Sequence, residues 1–398
     1  MTVTAPTGNR KALGVLFLTV VLDLVGFGIV IPLQTFFAEQ FGATPIQVTL
    51  LMASYSLAQF VAAPVWGQLS DRFGRRPTLL ASIFMTAVML TGFASSTSFG
   101  MLLMFRTLHG VMTANIPIAQ ACVADLTTPE NRARGMGMIG AAFGIGFTIG
   151  PFIGGEFART SLATPIWIAA ALSAVNFVLA LAFLPETRRP DSHTIHRSIS
   201  LTAMVDAIRH PVVGLCVLLT FLQVFAFSMM ESCFTLFAEH THKLQPADVG
   251  RMFGLVGIVS IVVQGGLIGR LVKRFGERAL VPVGLALVGL GTGLLPIAPM
   301  GAPLLIVFGV MGMGQSLANP SLSALISKAA SASEQGQTLG AAQSMSALAR
   351  AFGPLLGGVL YQGIGPGAPF YVSGALLLCG MILAFPAMER VKVGATAR

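Results

Sequence analysis

A few residues in this chain could carry chemistry, and most of them stand where charge is expensive. Asp23 lies inside the first apolar run, about twelve residues from its start, or roughly 18 Å along a helix at 1.5 Å per residue. In hydrocarbon, desolvation opposes a carboxylate's charge and a neighbouring guanidinium supports it. A carboxyl group held in that balance can take up and give back a proton as its access to water changes. The fourth apolar run supplies Arg106, His109, Asn115 and Gln120. Three-and-four spacing sets Arg106, His109 and Thr113 on one stripe, with Asn115 at about the depth of Asp23. Asp23, Arg106 and His109 are therefore candidate proton-coupling residues. Two other arrangements fit the same residues: a standing Asp23–Arg106 ion pair, and a carboxylate capping a broken helix. His109 also fits a hydrogen-bonded core imidazole.

The second half does not repeat these positions. It has Glu231 in the seventh apolar run and Arg350 in the eleventh, and these, with Asn115, Gln120 and Asn319, are candidate substrate contacts. Phe221, Phe225, Phe227, Phe234 and Phe237 offer an aromatic lining, or else lipid contact and packing. Asp23 and Glu231 favour a cationic cargo and Arg350 an anionic one, so charge leaves the cargo open.

The elements that position these residues follow from composition. Charged residues make up 10% of the chain and apolar ones 54%, against about 25% charged in soluble domains, so a water-facing surface cannot be covered. Runs of about 20 apolar residues suit membrane spans. Twelve emerge, at approximately 12–36, 47–69, 78–96, 100–124, 135–157, 163–184, 211–237, 248–269, 279–298, 302–327, 337–361 and 367–388. Each must be helical, because lipid satisfies no strand edge. The expectation is an all-α membrane protein of twelve transmembrane helices in two pseudo-symmetric six-helix bundles, 1–184 and 211–398. A polar cytoplasmic linker, 185–210, joins them and has a short amphipathic stretch at Leu201–Ile208.

The net charge of +9 records topology rather than nucleic-acid binding. Cations such as Arg10, Lys11, Arg72, Arg75, Arg76, Arg132, Arg134, Arg270, Arg274 and Lys328 fall in alternate connections, while the others carry little beyond Arg159, Lys243 and Arg251. The positive-inside rule then puts both termini and the linker in the cytoplasm. Cys122, Cys216, Cys233 and Cys379 stand singly in apolar runs, which predicts small core residues and neither disulfide nor metal site. The first run is too long for a cleavable leader. The chain has no His-Glu-x-x-His, Gly-x-Ser-x-Gly or phosphate-loop motif, so neither an enzyme nor a cofactor is expected. A sensor or scaffold would need a larger soluble domain than any connection supplies.

The chain also repeats itself. Gly67-Gln68-Leu69-Ser70-Asp71-Arg72-Phe73-Gly74-Arg75-Arg76-Pro77 returns as Gly269-Arg270-Leu271-Val272-Lys273-Arg274-Phe275-Gly276-Glu277-Arg278, and Gly150-Pro151-Phe152-Ile153-Gly154-Gly155 returns as Gly353-Pro354-Leu355-Leu356-Gly357-Gly358. One offset of about two hundred residues spans both matches, as parallel transporter halves require. Gly146, Gly150, Gly154 and Gly155 with Pro151 crowd the fifth run, and small residues at this spacing let helix backbones approach.

On Leu22-Asp23-x-x-Gly26-x-Gly28-x-x-x-Pro32, the Gly67–Pro77 motif, Arg106-x-x-x-Gly110 and Gly146-x-x-x-Gly150-Pro151-x-x-Gly154-Gly155, the chain resembles the major facilitator superfamily. Within it, the likeness is to the drug:proton antiporters that include the tetracycline efflux proteins. The resemblance implies a cytoplasmic gate in which Asp71 faces the amino end of the eleventh helix and Arg75 meets Asp125, with Gly67, Arg72, Glu130 and Arg132 around it. It implies that Gly146, Gly150, Pro151, Gly154 and Gly155 are an antiporter motif, and the likeness of Tyr55-Ser56-Leu57-Ala58-Gln59 to the tetracycline-efflux pattern implies that Gln59 is a substrate contact in the cavity. Lys273 replaces the acid in the second copy, so an equivalent latch is not expected there. The function implied is proton-coupled export of hydrophobic or amphiphilic small molecules by alternating access, in a monomer of the inner membrane, with protons, substrate and lipid as partners. A uniporter or exporter of a lipid, sugar or organic anion is the alternative.

Overall fold

The computed structural model describes residues 7–128, 131–187, 211–329 and 335–396. The described elements are all helices. In chain order they are α1 (Thr7–Glu39), α2 (Pro45–Phe73), α3 (Arg75–Ala94), α4 (Phe99–Met112), α5 (Asn115–Leu126), α6 (Arg132–Phe157), α7 (Thr164–Phe183), α8 (Pro211–His242) and α9 (Pro246–Val262). A π-helical turn, Val263–Leu267, leads into α10 (Ile268–Leu294); then follow α11 (Ala302–Ala329), α12 (Gln335–Gly363) and α13 (Ala368–Thr396).

All twelve apolar runs are helical, but nine described helices are long and apolar enough to cross a bilayer as single elements. Three features account for the difference. The fourth run is broken into α4, of 14 residues, and α5, of 12. The eighth and ninth runs read as one stretch across Gly276, where the backbone turns at φ 75 and ψ 156. In α12, Ser344, Ser346, Arg350 and Gln362 dilute the apolar face.

Two compact units result. The first comprises Met1–Ala43, Leu57–His196 and Gln245–Gly254; the second comprises Thr44–Ser56, Arg197–Leu244 and Leu255–Arg398. The opening turns of α2 thus group with the second unit and those of α9 with the first, a division that cuts across the one drawn between runs six and seven. The amphipathic stretch Leu201–Ile208 lies outside the described residues. In the first unit, α1 packs on α6 and α7, with α3 against α7. Its core gathers Leu16, Val20 and Leu24 with Leu79, Ile83, Ile118 and Cys122. In the second unit, α8 packs on α12 and α13, and α10 on α11 and α13. Cys216 and Cys233 are buried as well, whereas Cys379, expected in the core, is exposed on α13.

Lipid is as apolar as leucine, so close backbone approach rather than hydrophobicity must hold such helices together. The glycines supply it. A Cβ on Gly28 would lie 2.6 Å from the Gly146 carbonyl oxygen, one on Gly150 2.7 Å from the Gly28 Cα, and one on Gly154 2.8 Å from the Ile29 oxygen. This seam fixes α6 on α1 within two turns of Asp23. The second unit repeats it: a Cβ on Gly353 would lie 2.6 Å from the Phe225 oxygen, and one on Gly357 2.8 Å from the Cys233 sulfur. The repeated motif is also structural, since Gly74 (φ 103, ψ 158) and Gly276 (φ 75, ψ 156) take the same conformation, open to glycine and strained for other residues.

Candidate functional site

Asp23 comes to lie at a helix break. Between α4 and α5, Thr113 and Ala114 leave the helical region (φ −103, ψ 114 and φ −133, ψ 25). The sequence predicts one continuous helix over 100–124, and the structure corrects this. The missed signal is Pro117 at the third position of α5, where its absent N–H costs nothing but its ring would collide with the carbonyl four residues back, at Thr113. A break in lipid exposes backbone groups that must find partners. Neighbouring helices provide them: Trp66 Nε1 donates to the Val111 oxygen at 2.7 Å, Ser82 Oγ to the Met112 oxygen at 3.2 Å, and Gln59 Nε2 to the Thr113 oxygen at 3.4 Å. Ser82 Oγ in turn accepts from the Ala114 amide at 2.8 Å.

The first residue past the break is Asn115, and its Nδ2 donates to Asp23 Oδ1 at 2.5 Å and to Thr86 Oγ1 at 3.5 Å. Thr86 and Thr113 exchange a hydrogen bond at 3.3 Å. Asp23 is half-buried, while Asn115, Thr86 and Thr113 are buried around it. The carboxylate is not closed onto Arg106. That guanidinium, 2% exposed, sits 5.7 Å over the Phe27 ring, one turn from Asp23, with Nη1 3.5 Å from His109 Nδ1. The standing Asp23–Arg106 pair is thus not the arrangement adopted, and His109 meets Arg106 rather than Asp23. The acid is held by a neutral amide, and the Arg106 cation lies over Phe27, the residue one turn along α1 from Asp23. Chemically, this group can gain or lose a proton without first breaking a salt bridge.

Gln59 joins the break through Thr113, whereas Gln120 is half-buried on α5, about a turn and a half below Asn115. Asn319 is exposed on α11, which runs unbroken through Pro320. Glu231 is half-buried and Arg350 exposed, both in the second unit. Of the phenylalanines, Phe234 and Phe237 are core, edge-on to Phe308 and Phe370; Phe221 and Phe225 are half-buried and stack at 5.6 Å.

At the Gly67–Pro77 motif, Arg75 is 5% exposed and gathers its neighbours. Its Nη1 lies 2.6 Å from Asp71 Oδ1 and 3.1 Å from Ser70 Oγ, and its Nε donates to Asp125 Oδ2 at 3.1 Å. Arg72 lies over Phe73, and Gly67 has open space where a Cβ would go. Glu130 and the side chain of Arg132 lie outside the described residues. One participant escapes a reading of the sequence. Glu186, counted there as linker, accepts from the Arg75 and Arg76 amides at 3.0 and 3.1 Å and so caps α3, a favourable charge at a helix amino end. Any Cβ on Gly74 would lie 2.6 Å from its Oε2. The isolated acid of Pro185-Glu186-Thr187, ahead of a basic stretch, was the available signal.

The second copy also holds an ion pair at the corresponding place. Glu277 follows Gly276 as Arg75 follows Gly74, and Lys328 ends α11 as Asp125 nears the end of α5; their Nζ–Oε1 distance is 2.5 Å. The pair is the first one with its charges exchanged. On the opposite ends of the helices, two of the three cations left over from the positive-inside pattern also find a use. Arg251 and Arg159 both meet Glu156, at 2.6 and 3.0 Å, beside the crossing of Gly155 and Gly250.

Relatives of this chain share both its length and its fold. It is 30% identical to the class C tetracycline resistance protein of Escherichia coli over 96% of this chain and 97% of that one. It is 27% identical to multidrug resistance protein 2 of Bacillus subtilis (strain 168), covering 94% of each. The crystal structure of the human organic anion transporter MFSD10 superposes with a TM-score of 0.74 at 27% identity, over 95% of this chain and 100% of that one. The family model described as Major Facilitator Superfamily matches residues 16–268 and 263–398. With helices throughout, a duplicated motif at both glycine hinges and that match across both halves, the chain belongs to the major facilitator superfamily of membrane transporters.

Proposed function

We propose that this transporter is a proton-coupled antiporter that exports hydrophobic or amphiphilic small molecules by alternating access. The observation that carries the reading is the Asp23 carboxylate at the α4–α5 break, held by Asn115 and not by Arg106. Asp23 takes a proton from one side and releases it to the other. Arg106, with His109 beside it, is the charge that resets the acid. The tetracycline and multidrug resistance relatives support export as the direction. One proton moving inward supplies about 2.3 kcal/mol per 100 mV, enough for modest accumulation. Gln59, Asn115, Gln120, Glu231, Asn319 and Arg350 contact cargo. Asp71, Arg72, Arg75 and Asp125 form the cytoplasmic latch, with Gly67, Glu130 and Arg132 around it. The transporter works as a monomer in the inner membrane, and the charge distribution supports cytoplasmic termini.

A second reading, exchange of organic anions, is favoured by the exposed Arg350 in mid-span and by the likeness to MFSD10. Proteoliposomes loaded with a pH dye separate the two. Adding ethidium is expected to drive proton movement opposite to the dye; ethidium transport without proton movement contradicts the antiport reading.

A further inference from the structure

In the second unit, α8 and α12 are pressed together along a glycine seam, and Ser228 Oγ donates across it to the Ala349 oxygen at 3.2 Å. Arg350 follows that carbonyl, with roughly 20 Å of helix to either end of α12. Arg350 is exposed and lies within electrostatic reach of Glu231 on α8 and Tyr55 on α2. Glu231, one turn along α8 from Ser228, keeps its Oε1 buried with no hydrogen-bond partner. No ion pair closes between the two. Opposite charges in a span attract strongly, and leaving them apart is costly unless something bridges them. The seam fixes their helices in register and holds them open.

Toward the start of α8 lies apolar surface suited to an amphiphile, where the half-buried Phe221 and Phe225 stack one turn apart. Gln223, on the other side of the helix, is buried and donates to Gln315 at 2.9 Å. The geometry points to a split-charge site, built from Glu231 and Arg350, that selects aromatic amphiphiles bearing both an anionic group and a protonated amine over the matching pure cations or anions. The inference rests on the export reading above and names its cargo.

The test is equilibrium binding to the purified full-length protein in lipid nanodiscs. The probes are Nε-dansyl-lysine (zwitterion), its methyl ester (cation), its Nα-acetyl derivative (anion) and the doubly blocked neutral form. The zwitterion is expected to bind at least about tenfold more tightly than either singly charged probe, the worth of one charge-assisted hydrogen bond. Arg350→Gln removes its advantage over the ester, and Glu231→Gln its advantage over the acetyl form. Arg350→Lys, which keeps the charge if the Gln variant fails to fold, retains part of the preference. Four probes within about threefold of one another, no binding of the zwitterion, or preferences that survive both substitutions would overturn the site. A uniform loss of all four probes in monodisperse variants would do the same. No gradient is needed, so the two readings fail separately. Zwitterion preference without substrate-coupled proton movement sinks antiport alone, and the reverse result sinks this site alone.

Discussion

Asp23→Asn is expected to abolish uphill export while leaving downhill exchange of the same substrate within a few-fold of wild type. The substitution is nearly isosteric, and the new amide oxygen can still accept from Asn115 Nδ2, so the contacts to Thr86 and the helix break keep their arrangement. What it removes is the ability to change charge. For an uncharged substrate exchanged against one proton, 100 mV contributes about 2.3 kcal/mol, or roughly a fiftyfold accumulation. The variant should relax to a ratio of one. Accumulation in proteoliposomes under an imposed potential measures this, with substrate counterflow as the control for a folded, moving protein. Undiminished accumulation would place the coupling proton elsewhere.

The second large effect concerns the seam that holds Asp23 in position. Gly150→Ala puts a Cβ 2.7 Å from the Gly28 Cα and 2.7 Å from the Val25 oxygen, both backbone atoms that cannot rotate away. The helices must separate, at about 1–3 kcal/mol or more for an overpacked core. Gly140→Ala lies on the same helix with open space around it and serves as the matched control. It should be neutral or slightly stabilising, since alanine favours a helix over glycine by roughly 0.5–1 kcal/mol. Thermal unfolding of the purified proteins distinguishes them, and equal melting temperatures would show that the seam is not a close contact. Export should fall with Gly150→Ala even where folding survives, because α1 carries Asp23 five residues from Gly28.

Much of this architecture is legible in the sequence because its causes are local. Apolar length sets the spans, and the repeated glycine motifs mark both the hinges at Gly74 and Gly276 and the seams at Gly150 and Gly353. The matched depth of Asp23 and Asn115 follows from helical rise. What escapes is set by partners distant in the chain. Pro117 signals the break in the fourth span, yet Pro32, Pro64, Pro151, Pro320 and Pro354 stand inside helices that run on. The difference lies with Trp66, Ser82 and Gln59, which take up the freed carbonyls, and no local pattern announces them. Glu186 is hidden in the same way, because its role depends on the positive φ of Gly74 clearing space for a carboxylate. The Glu277–Lys328 ion pair is masked by its inverted sign, since matching residue types against Arg75 and Asp125 finds nothing alike.

In the proposed antiport, Asp23 carries the exchanged proton. The most direct measurement is proton release from purified protein in weakly buffered detergent solution, followed with a pH indicator while tetraphenylphosphonium is titrated in across a pH series. Release is expected to approach one proton per protein at saturation for the wild type, and to be absent for Asp23→Asn at matched binding. Equal release from both proteins, or binding to the wild type with no release at any pH in the series, would contradict it.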